Sequence, residues 1–144
     1  MVDARTDTLG ALLRGELAAV ETYQQAIDKL AGGPGTAELR QILMDHREAA
    51  IDLRQHIQLA GGTADDSSGV WGAFAQAVEG LATLLGNATA LAALRQGEER
   101  GALAYENALA DEELSPAGRT LIRSQLLPRT QAHLSTLDWL ISKD

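Results

Sequence analysis

Cysteine is absent from this chain. That excludes disulfides, thiolate metal sites and thiol catalysis. Prolines number three in 144 residues. Long helices are therefore interrupted at few places. Aromatic residues make up 3%, so the core must be aliphatic. Basic residues are outnumbered, 12 Lys and Arg against 20 Asp and Glu, for a formal charge of −8. No Lys/Arg patch reverses that sign, so a nucleic-acid partner is not expected. No apolar run reaches the length of a membrane span. Met1 to Thr8 carries no apolar signal core. The expectation is a cytoplasmic protein with no membrane span, and a homodimer is compatible with it.

What remains is rich in alanine, leucine and other helix formers. The length suits one domain, 1–144, with a single sizeable core. One segment occurs twice. Leu9, Ala11, Leu12, Gly15, Glu16, Tyr23 and Ala26 return as Leu91, Ala93, Leu94, Gly97, Glu98, Tyr105 and Ala108, each pair 82 positions apart. The two tyrosines of the chain both fall in this repeat, each seven residues after its glutamate. Seven residues are two helical turns, so each Glu and Tyr share a helix face.

The periodicity predicts four main helices. The first starts near Asp7, runs to about Ala31, and carries Leu9, Leu13, Glu16, Val20, Tyr23, Ile27 and Leu30 inward. Gly32-Gly33-Pro34-Gly35 ends it. The second follows Thr36, with the stripe Leu39, Leu43, His46, Ala50, Leu53, Ile57 and Ala60, and stops at Gly61-Gly62. Residues 63–69 read as a loop, and Val70 to Leu85 as a short amphipathic helix with Trp71 and Phe74. After Gly86-Asn87 the repeat helix runs to about Glu113. Ser115-Pro116 is a strong start for the last helix, an N-cap followed by proline at the first helical position. Pro128 should kink that helix and free the Ser124 carbonyl. The short joins make neighbouring helices antiparallel. The long connection, residues 61–87, can climb a main helix of roughly 36–39 Å. The expected fold is all-α: a ferritin-like four-helix bundle with a long crossover containing a short fifth helix.

Each main helix puts one ionisable side chain on its inward stripe: Glu16, His46, Glu98 and His133. A charge on a buried seam is costly unless it is paired or binds a cation. Two carboxylates and two imidazoles near one axis could hold iron, manganese or zinc. They could equally satisfy one another: Glu98 with Arg129 or His133, and His46 with Tyr23. Glu21, Asp45, Glu48, Asp52 and Glu99 fall on solvated faces, and His56 at a stripe edge.

Glycine-glutamate, six residues, then tyrosine, on the first and third main helices, resembles the rubrerythrin-like branch of the ferritin-like superfamily. The chain is similar over nearly its whole length to a bacterial family of four-helix bundles labelled only as a domain of unknown function. The resemblance implies a metal centre in which Glu16 and Glu98 match single glutamate ligands. Two helices of such a centre carry Glu-x-x-His. Here those places hold His46-Arg47-Glu48-Ala49 and Thr130-Gln131-Ala132-His133. Two bridging carboxylates are missing, which implies a degenerate centre. Two functional expectations follow: a structural or interaction protein with no catalytic residues, or a di-iron-like or mononuclear metal-binding or redox protein. A small-molecule or lipid pocket beside Trp71 and Phe74 is a third.

Overall fold

The computed structural model describes residues 4–30, 33, 35–64 and 87–143. The Val70 to Leu85 segment, with Trp71 and Phe74, lies outside them. Among the described residues there are helices and no strand. They are α1 (Ala4–Lys29), α2 (Thr36–Leu59), α3 (Asn87–Leu109), α4 (Pro116–Leu121) and α5 (Leu127–Lys143), with a π-helical segment, Ile122–Leu126, joining the last two. α4, the π segment and α5 form one continuous helical rod, so the bundle has four. No described helix is long and apolar enough to cross a membrane.

Direction follows from side-chain pairs. Glu16 meets Tyr105, and Tyr23 meets Glu98, so α1 and α3 are antiparallel. The short join makes α1 and α2 antiparallel too. α2 and α3 therefore run parallel.

The helix ends are where the sequence expectations need correction. α1 starts at Ala4, not Asp7, and Asp7 lies in its first turn, where an acid favours the helix dipole rather than a cap. α3 stops at Leu109, four residues short of Glu113. Its last carbonyls are taken from outside: Arg119 donates to the Leu109 oxygen and, at 3.0 Å, to the Asp111 oxygen. Ala60 is exposed and Val20 only partly buried. The N-cap at Ser115 holds, its Oγ accepting from the Gly118 amide at 3.0 Å. The last helix continues through Pro128. The ring would clash with the Ser124 carbonyl in an α turn. The π segment just before it widens the spacing, with the Leu127 amide donating to the Ile122 oxygen.

The core is split. One apolar cluster packs Leu13, Leu53, Tyr105, Ile122 and Leu126. The other packs Tyr23, Leu39, Leu43, Leu94 and Leu137. Both are held at the α1–α2 turn and the α3–α4 turn by local geometry. Gly35 shows the first: its φ is +87°, and a Cβ there would sit 2.9 Å from Leu140 Cδ2. Replacing Gly35 with alanine should therefore cost more than about 1 kcal/mol by urea unfolding. An unchanged midpoint would contradict this account of the turn.

Candidate metal centre

Between the two apolar clusters lies a polar layer. Glu16, His46, Glu98 and His133 are 7%, 5%, 4% and 5% exposed. They come from α1, α2, α3 and α5, one from each rod of the bundle. All four residues expected from the sequence are thus buried and brought together.

His46 is the hub. Its Nδ1 lies 2.5 Å from Glu16 Oε2 and its Nε2 2.6 Å from Glu98 Oε1. A ring with a carboxylate at each nitrogen donates from both, so it is an imidazolium. The tyrosines close the layer crosswise. Tyr23 donates to Glu98 Oε1 at 2.8 Å, and Tyr105 donates to Glu16 Oε1. The repeat thus pairs each glutamate with the other copy's tyrosine. The Glu-to-Tyr spacing along antiparallel helices contains that pairing, but the helical wheel alone did not reveal it. His46 stacks against Tyr23 at 5.2 Å between ring centroids instead of bonding its hydroxyl.

The electrostatics follow. Burial alone would push the His46 imidazole down, but the charges and hydrogen bonds of Glu16 and Glu98 outweigh it and raise its pKa well above 6.5. Burial would raise Glu98. The His46 imidazolium, with His133 contributing, outweighs that and lowers it to about 2. Burial, then the neighbouring carboxylate charge, pushes both tyrosine hydroxyls up, so they remain donors.

His133 sits beside the hub, 4.9 Å from His46 between ring centroids. Its Nε2 lies 2.8 Å from Asp45 Oδ2. Asp45 is therefore not the solvated surface acid expected from the sequence. Residue 45 faces α5 because it is turned about 100° around α2 from His46. His133 Nδ1 is 3.4 Å from Glu98 Oε2, and it is buried with no hydrogen-bond partner. Arg129 is not the partner of Glu98; it bonds Gln125. Glu48 and Glu99 are exposed as expected, Glu99 pairing with Arg95.

One ligand atom from each of His46, Glu98 and His133 lies within 4.8 Å of the other two. A cavity of about 80 Å³ opens onto Glu16 and Glu98 between α1 and α3. Gly15, Gly97, Gly101 and several alanines line it. Among the described residues, a Cβ on Gly15 would meet nothing within 4 Å.

These features define a helical bundle with a buried carboxylate–imidazole layer. The chain belongs to the family described as "Domain of unknown function (DUF2383)", which matches residues 4–111. That span includes Glu16, Tyr23, His46, Glu98 and Tyr105. No curated protein and no solved structure matches the chain.

The network makes stability depend on pH in a stated direction. The His46 contribution is complete below about pH 6.5 and is lost as pH rises through its raised folded value. The Glu98 contribution is complete above about 4.5 and is lost as pH falls toward 2. Chelator-treated protein should therefore have its highest urea midpoint between about pH 4.5 and 6.5, with a declining alkaline limb that His46→Gln flattens. An alkaline limb identical in wild type and His46→Gln would refute the assignment.

Proposed function

We propose that this protein is a ferritin-like bundle that binds one divalent transition cation in its polar layer. His46, Glu98 and His133 are the ligands, and Glu16 is the adjacent carboxylate. One observation carries this: three metal-ligating atoms from three helices converge within 4.8 Å in the buried centre of the bundle. Mixed imidazole and carboxylate donors suit manganese, iron or zinc. The donors fit one cation and not two. A dinuclear centre of the ferritin-like type needs four carboxylates on the axis, and Glu48 is exposed on the far side of α2. A cation bound here supplies the positive charge that His46 otherwise supplies as a proton. The protein's part is to hold the donors, exclude water, and keep Tyr23 and Tyr105 as hydrogen-bond donors to the carboxylates.

A second reading is favoured by the His46 contacts at 2.5 and 2.6 Å. They satisfy both carboxylates with no metal, as a structural or interaction protein would require. One experiment separates the two. Mn(II), Zn(II) and anaerobic Fe(II) are titrated calorimetrically at pH 7 into untagged, chelator-treated protein in two buffers of different ionisation enthalpy. The metal reading expects one equivalent bound, about one proton released from His46, and a raised melting temperature. Glu98→Gln and His133→Gln should abolish binding. Flat titrations with all three metals would leave the structural reading.

A further inference from the structure

The two histidines of the layer are held differently, and the difference points to a residue outside the ligand set. His46 has both nitrogens within 2.6 Å of a carboxylate oxygen. His133 has one such contact, Nε2 to Asp45 Oδ2 at 2.8 Å. A carboxylate accepts but cannot donate, so Nε2 carries a proton. In the neutral form of the ring that is the single proton, and Nδ1 is bare. That nitrogen faces Glu98 Oε2 at 3.4 Å without hydrogen-bond geometry, and it is buried. In that state two lone pairs face each other across the gap. A proton on Nδ1 would draw the pair into a bond, as it does at His46. A tetrahedral cation with bonds of about 2.0–2.1 Å separates neighbouring donors by roughly 3.3–3.4 Å. The gap has that width.

We propose that Asp45 is the positioning residue of the centre: by accepting from His133 Nε2 it fixes the ring tautomer and turns Nδ1, unprotonated, toward Glu98 and His46. This rests on the metal reading above and adds to it a residue from outside the converging triad. Asp45 and His46 are adjacent on α2, so one turn of helix supplies both a ligand and the orienting group for a second ligand on α5. The Asp45 side chain is 24% exposed against 6% for His133. Its carboxylate therefore keeps contact with solvent while its hydrogen bond reaches into the layer. That arrangement orients the ring without burying another full charge. Outer partners of this kind typically govern metal affinity by about 10- to 100-fold.

The test uses the full untagged chain, ¹⁵N-labelled at histidine, with Zn(II) as the probe. In metal-free wild type, two-bond ¹H–¹⁵N spectra should place the His133 proton on Nε2. In zinc-loaded protein they should place the metal on Nδ1. Asp45→Ala should weaken zinc binding about 10- to 100-fold. Asp45→Asn, whose amide oxygen still accepts from Nε2, should lose less. The tautomer in wild type and the Asn variant keep the proposal testable if Asp45→Ala does not fold. A proton found on Nδ1 would overturn the proposal. So would unchanged affinity in Asp45→Ala while Glu98→Gln abolishes binding, which would leave the metal reading standing. Wild type that takes up no zinc, manganese or iron would overturn both.

Discussion

Two carboxylates buried at the middle of an aliphatic bundle are the constraint on which the rest depends. Neither Glu16 nor Glu98 can stay charged there without donors and a positive charge close by. The bundle supplies one imidazolium between them and one phenol to each. That need splits the core into two apolar clusters, one above and one below the layer. It also dictates which faces α1 and α3 turn to each other. Burial opposes the His46 proton; the charges and hydrogen bonds of Glu16 and Glu98 outweigh it and hold the proton, and any cation that enters must displace it.

The architecture was largely legible because it rests on periodicity. The stripes of α1, α2, α3 and the last rod predicted four inward ionisable residues, and all four are buried. The 82-residue repeat singled out the Glu and Tyr pairs. What was not legible depends on distances between helices. A helical wheel ranks residues by angle on their own helix and says nothing about the azimuth of a neighbour. Asp45 therefore read as surface, although α5 stands close enough for His133 to reach it. Helix ends were misjudged by three or four residues, because their caps come from elsewhere: the Leu109 carbonyl is satisfied by Arg119, ten residues on. Pro128 was visible as a disturbance, but the π segment that absorbs it is a property of the whole turn.

The helices pack as a four-helix bundle, and the ligands are where the chain departs from the pattern of a dinuclear carboxylate centre. Where a dinuclear centre has carboxylates on all four helices, this chain has carboxylates on two and imidazoles on the other two. One acid, Asp45, stands behind a histidine. The two buried carboxylates share a single base, His46. That leaves a symmetric pair of acids around an asymmetric pair of bases, so the centre accommodates one positive charge at its midpoint.

The crosswise Tyr–Glu bonds also bear on how the chain assembles. They join residues 75 and 89 positions apart, whereas α1 with α2, and α3 with the last rod, form local hairpins that can collapse early. The charged layer can dehydrate only when the two hairpins dock. A docking slipped by one turn, about 5.4 Å, would break both bonds together and strand two carboxylates and two phenols in a dry core. The layer therefore acts as a vernier for the encounter. Mis-registered collapse is penalised at its centre, where aliphatic side chains alone would tolerate sliding.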